Sequence, residues 1–154
     1  MHKLDTIYTQ SVSETEQCGA TLARRFSDET SLPRFVALYG DLGVGKTAFV
    51  RGFASVIAPC AVVRSPTFAL VNEYSSKPLS LFHFDMYRID SEDDLYSIGY
   101  DDYLARRGIC LVEWSEKIPY AIPDELVRVT IEKLPAQGAD ARRITIEVIT
   151  EDKL

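Results

Sequence analysis

Phe35-Val36-Ala37-Leu38-Tyr39, continued by Gly40-Asp41-Leu42-Gly43-Val44-Gly45-Lys46-Thr47, is the stretch on which the fold of this chain turns. The first five residues are apolar throughout and read as a short strand buried on both faces. The next eight fit G-x-x-x-x-G-K-[ST]. From Lys46 onward, Phe49, Val50, Phe53, Val56 and Ile57 mark one face of a helix closed by Pro59. Strand, glycine-rich turn and helix in this order are the context that a phosphate-binding loop requires. Glycines let the backbone curl so that successive N–H groups point inward at an anion, and the helix N-terminus adds partial positive charge. In such a loop Lys46 places an ammonium at the β- and γ-phosphates of a nucleotide, and Thr47 offers a hydroxyl to Mg²⁺.

Two acids downstream complete the pattern. Asp85 ends Leu81-Phe82-His83-Phe84-Asp85, and Glu113 ends Ile109-Cys110-Leu111-Val112-Glu113. An acid that terminates a buried apolar strand is the usual form of a Mg²⁺-supporting or water-orienting group in a nucleotide site. In a parallel α/β sheet the C-terminal ends of strands converge on the ligand crevice, so both acids are expected to face Lys46 and Thr47. Around this centre, Ser13-Glu14-Thr15-Glu16 matches a capping box with Ser13 as N-cap. It opens a helix carrying Cys18, Leu22 and Phe26 and ending near Ser27. Strands are predicted over 68–74 and 79–85, joined by a turn at 75–78. Ser91-Glu92-Asp93-Asp94 starts a helix that Gly99 keeps short. Val127, Val129 and Ile131, then Ile144, Ile146 and Val148, alternate as two strands of a hairpin around the loop 135–143. Together these predict an α/β fold, a P-loop NTPase-like three-layer sandwich with a mixed β-sheet, as a single domain over 1–154.

Composition narrows the classes. The 154 residues suffice for one domain that buries roughly 70% of its unfolded surface. A hydrophobic fraction of 46% and a charged fraction of 26% are those of an ordinary globular protein and exclude a disordered scaffold. The net charge of −6, from 23 acidic and 17 basic residues, disfavours a broad surface gripping nucleic acid directly. No window approaches the ~20 apolar residues of a membrane span. Met1-His2-Lys3-Leu4-Asp5 has no apolar run behind its lysine, so a secretory signal is not expected and a cytoplasmic location is. Cys18, Cys60 and Cys110 are odd in number, lack C-x-x-C spacing and sit beside apolar residues, which reads as small buried hydrophobes in a reducing compartment. Two histidines are too few for a His-rich metal site.

A GTPase would carry a D-x-x-G switch and an N-K-x-D base-reading motif, and neither occurs, which favours adenine. The chain is short for a transporter ATPase or motor. A small-metabolite kinase fits the length but needs an arginine-bearing lid, for which Arg106-Arg107 is the doublet besides Arg24-Arg25 and Arg142-Arg143. Other residues read two ways. Ser65-Pro66-Thr67 senses a γ-phosphate or merely shapes a turn. His83, in phase with Asp85, orients it, meets a partner or serves the core. Arg88 offsets phosphate charge or pairs with Asp90, and Trp114 packs over the site or belongs to core or interface.

Ser65-Pro66-Thr67-Phe68, His83-Phe84-Asp85-Met86-Tyr87-Arg88 and Leu111-Val112-Glu113-Trp114 follow the glycine-rich loop in that order. The series resembles the TsaE (YjeE) family of bacterial ATPases of tRNA threonylcarbamoyladenosine biosynthesis, from the first helix start to the final hairpin. The resemblance implies ATP and Mg²⁺ as cofactors and slow hydrolysis by the chain alone. It implies TsaB and TsaD as partners that place a threonylcarbamoyl group on N6 of adenosine 37 in tRNAs reading codons beginning with A. By the same matching, Gly43, Val44, Gly45, Lys46, Thr47 and Ala48 wrap the phosphates, Thr15 lies near the nucleotide, and Thr47 and Glu113 hold Mg²⁺. Asp85 activates or positions the attacking water, with Lys46 beside it as the second catalytic residue. A small-molecule kinase with Asp85 as base, and a nucleotide-gated binding module, remain the alternatives.

Overall fold

A computed structural model of the chain describes residues 2–29, 31–40, 43–67 and 69–151. Asp41, Leu42 and Phe68, which enter the motifs above, lie outside the described residues. The strands β1 (His2–Thr9), β2 (Phe35–Tyr39), β3 (Val71–Tyr74), β4 (Ser80–Asp85), β5 (Gly108–Glu113), β6 (Leu126–Lys133) and β7 (Arg142–Ile149) form one sheet in the order β1-β7-β6-β2-β5-β4-β3. β4, β5, β2 and β6 run parallel to their neighbours in that row. β3, β7 and β1 join antiparallel at the two sides, so the sheet is mixed. Helices α1 (Val12–Asp28) and α2 (Lys46–Ile57) cover one face, packing Leu22, Phe26, Phe49 and Phe53 on Leu38, Leu111, Val129 and Ile144. The short helices α3 (Glu92–Ser97) and α4 (Tyr100–Ala105) cover the other, where Leu95 and Tyr100 meet Phe82, Phe84 and Val112. These are the three layers expected.

The central strands behave as their composition demands. β5 is buried at every residue and β4 at all but Ser80, because helices lie on both faces. β6 and β7 alternate, and Val127, Val129, Ile131, Ile144, Ile146 and Val148 all point to the α1/α2 face. The helices α1 and α2 touch through their backbones. A Cβ built at Gly52 would lie 1.8 Å from the Glu16 carbonyl oxygen, and one at Gly19 would lie 2.1 Å from that of Phe49. Only glycine permits this approach.

Several expectations are corrected. Strand β1 has no counterpart in the sequence reading: Leu4 and Tyr8 are exposed and only Thr9 is buried, so no apolar alternation announces it. It is held by pairing with β7. The N-cap of α1 is Ser11, two residues before Ser13. Glu14 N–H donates to Ser11 Oγ at 3.1 Å and Gln10 N–H donates to the Glu14 carboxylate at 3.2 Å. Starting the helix there turns Thr15 inward, where its hydroxyl bonds that of Thr9 at 2.9 Å. Gly99 does keep α3 short, its left-handed φ of 73° following the helix end at Ser97 and its N–H donating to the Tyr96 carbonyl at 3.0 Å, and it also caps a second short helix, α4, which the sequence does not announce. β3 is described from Val71, and Cys60 is exposed while Cys18 and Cys110 are buried. No helix among the described residues is long and apolar enough to cross a membrane.

Candidate nucleotide-binding site

The strand β2 delivers the chain to the start of α2 at the C-terminal edge of the parallel strands. Gly45 caps α2 with φ 107°, a left-handed value that a side chain resists. No side chain caps this end and its first turn holds no acid, so its unpaired N–H groups remain available to an anion. Lys46 is 6% exposed; its Nζ donates to the Gly40 carbonyl at 2.8 Å and lies 4.1 Å from the Trp114 ring centroid.

The acids come from neighbouring parallel strands. Asp85 and Glu113 are register partners, so their side chains leave the sheet on the same face. Glu113 is in phase with Ile109 and Leu111, which face α1 and α2, and His83 and Asp85 share that side. Asp85 accepts the Tyr87 N–H at 2.9 Å and, at 3.4 Å, the Thr67 hydroxyl. Thr67 is joined to Ser65 at 2.6 Å. The buried His83 Nε2 meets Glu113 Oε2 at 2.6 Å. Immediately after Glu113 the chain takes a left-handed turn at Trp114, φ 58°, unusual for a bulky residue and a mark of local constraint. That turn brings the indole over Lys46, with the Tyr87 ring 4.9 Å away.

A cleft of about 460 Å³ gathers these groups: Gly43, Gly45, Lys46, Thr47 and Ala48 on one wall, and Ser65, Thr67, Asp85, Glu113 and Trp114 on the other. A cleft of about 520 Å³ at the opposite ends of β2 and β5 has no such helix terminus, lysine and paired acids. Among the described residues no three His, Cys, Asp or Glu side chains form a metal cage. A cation here would be completed by phosphate and water, the way Mg²⁺ is ordinarily held.

The sequence and the fold both have relatives among known proteins. The family model described as "Threonylcarbamoyl adenosine biosynthesis protein TsaE" matches residues 9–144. The chain belongs to the TsaE family. It is 39% identical over 114 residues to the TsaE protein of Bacillus subtilis, covering 74% of this chain and 69% of that one. Against the TsaE protein of Treponema pallidum it is 34% identical over 138 residues, covering 90% and 96%. The crystal structure of Bacillus subtilis YdiB superposes with a TM-score of 0.74 at 32% identity, covering 97% of this chain and 88% of that one.

Within this TsaE-family fold most of the expected residues converge, with instructive exceptions. Thr15 packs against the loop, a Cβ on Gly45 lying 3.7 Å from its methyl, while Val12 is the α1 residue that lines the cavity. Val44 turns its side chain into the core and offers its carbonyl to Arg142. His83 meets Glu113, not Asp85, because the parallel register carries it toward the neighbouring strand. The candidate lid doublet lies elsewhere: Arg106 makes a two-point pair with Glu73 at 2.6 and 2.7 Å, and Arg107 donates to the Pro78 carbonyl.

Arg142 is the functional candidate that motif reading passed over. It is 8% exposed, lines the cleft, and donates to the Val44 carbonyl at 2.6 Å and to those of Ala139 and Ala141. Its signal was present: it falls in phase with Ile144, Ile146 and Val148, a cation on an otherwise apolar strand face. The buried cysteines offer no competing chemistry, since burial pushes the Cys18 thiol up to about 11 and that of Cys110 up to about 12.

Proposed function

We propose that this chain is the Mg²⁺-dependent, ATP-binding and ATP-hydrolysing subunit of tRNA threonylcarbamoyladenosine formation. It acts in the cytoplasm with TsaB and TsaD, which modify N6 of adenosine 37 in tRNAs reading codons beginning with A, and it works as one P-loop domain spanning 1–154. The observation that carries this reading is the convergence in a single cleft of the open α2 terminus, Lys46, Thr47 and the register-matched acids Asp85 and Glu113. Membership of the TsaE family supports the pathway.

The N–H groups at the start of α2 and the glycine loop bind the phosphates. Lys46 exchanges its bond to the Gly40 carbonyl for one to a phosphate oxygen. The Thr47 hydroxyl and Glu113 carboxylate are hard oxygen donors suited to Mg²⁺. When bound, that ion neutralises charge developing on the β- and γ-phosphates. Asp85, fixed by the Tyr87 N–H, keeps acceptor capacity for orienting a water molecule in line with the γ-phosphate. Trp114 shields the Lys46 side from bulk solvent. With a net charge of −6 the chain leaves the grip on tRNA to its partners.

Steady-state ATP turnover, with and without TsaB and TsaD, tests the reading. Slow release of phosphate by the chain alone and faster release with both partners is expected. Lys46→Ala should lower turnover by about 10²-fold or more. A phosphorylated metabolite as product, or a Lys46→Ala protein that hydrolyses ATP like the unaltered chain, would overturn it.

A further inference from the structure

We infer that His83 is the positioning residue of the Glu113 carboxylate, fixing its orientation toward the cation that accompanies a bound nucleotide. The inference rests on the ATP reading above and adds to it a role for a residue that touches neither nucleotide nor metal. His83 is 2% exposed, sits in β4 among the buried Leu81, Phe82 and Phe84, and its ring makes one hydrogen bond among the described residues, Nε2 to Glu113 Oε2 at 2.6 Å. A carboxylate can only accept, so Nε2 carries the proton and donates. With Oε2 engaged, Oε1 is the oxygen left for a cation, and the carboxylate loses its freedom to rotate.

Two observations set this apart from ordinary core packing. Nδ1 is buried without a hydrogen-bond partner among the described residues. Burying an unpaired ring nitrogen is unfavourable, and an apolar side chain at this position of β4 would avoid it. What histidine supplies in exchange is the one donor on the Glu113 side chain among the described residues. Asp85, on the same face two residues on, is held by Tyr87 and Thr67 and does not use the imidazole. A donor that fixes a ligating group from behind is the usual second layer of a metal site.

Trp114 is the lone tryptophan of the chain and adjoins Glu113, so its fluorescence reads the site directly. ATP affinity is measured with a chelator present, and the Mg²⁺ half-saturation at saturating ATP, for the full chain and for His83→Leu, His83→Asn and His83→Gln. Leu removes the donor, Asn holds one that falls short of Glu113, and Gln carries one to about the place of Nε2. Leu and Asn should raise the Mg²⁺ half-saturation by about 10- to 100-fold and leave metal-free ATP affinity unchanged, while Gln restores most of the loss. If Leu does not fold by circular dichroism, the Asn and Gln pair carries the same comparison. An unchanged Mg²⁺ half-saturation, an equal loss of metal-free ATP affinity, a Gln variant as impaired as Asn, or failure of all three to fold overturns the inference alone. Silence of the unaltered chain toward both ATP and Mg²⁺ overturns the ATP reading itself, and the inference with it.

Discussion

The central strands β2, β4 and β5 and the flank of β6, β7 and β1 treat charge in opposite ways. These central strands are covered on both faces, and the carboxylates and the imidazole they bury, Asp85, Glu113 and His83, lie in the last three residues of β4 and at the end of β5, beside the cleft. Within the flank β6 and β7 alternate, and their outward positions carry ordinary ion pairs, Arg143 with Glu132 at 2.9 Å and Arg128 with Glu147 at 3.6 Å. A charge on a doubly covered strand persists only if a partner or ligand compensates it, so there it marks function. A charge on the flank is solvated and marks little. Arg142 is the exception that joins the two regions, a flank residue whose guanidinium turns inward to hold the phosphate loop.

Substitutions can break this contrast or sharpen it. Leu111→Ala empties a wholly buried position of β5 and should cost about 2–5 kcal/mol, lowering Tm by roughly 10 °C in thermal melts. A Tm near that of the unaltered chain would mean the parallel strands are less tightly packed than they look. Asp85→Asn should lower ATP turnover about 10²-fold or more while ATP binding changes little; parallel losses in both would make Asp85 a structural residue. Arg142→Met leaves the Val44 carbonyl without its donor, for about 1–3 kcal/mol in urea unfolding, and should weaken ATP binding as well. Normal stability and affinity would return Arg142 to the solvated class.

The smallest effect belongs to the flank. The Arg143 guanidinium holds the Glu132 carboxyl below its ordinary range. A depressed carboxylate contributes stability that is present above its unfolded value and is lost as pH falls through its folded one. Glu132→Gln should therefore match the unaltered chain in acid and be barely less stable at neutral pH. High salt should erase the difference, because both partners are largely exposed. A large, salt-resistant loss in urea melts would place this pair among the functional charges.

Legibility follows the same division. The loop from Gly40 to Thr47 and the acids Asp85 and Glu113 could be read directly, because core packing alone calls for neither glycines at fixed spacing nor an acid at the end of an apolar run. β1 could not: its side chains carry almost no apolar signal, and its existence depends on backbone pairing with β7 from the far end of the chain. The cap of α1 was misplaced because Ser11 and Ser13 both precede a glutamate by three residues. The bond between Thr9 and Thr15, a contact between strand and helix, belongs to the earlier start.

By itself the sequence determined the α/β class, the strand–loop–helix of the P-loop motif and the two strand-ending acids, since each is written in local spacing that backbone geometry reads directly. Tertiary structure alone decided that His83 bonds Glu113, that Arg142 reaches the loop, and that Thr15 joins Thr9 against it. Those outcomes depend on strand register and on which faces meet, and residues far apart along the chain settle such matters only when the sheet assembles.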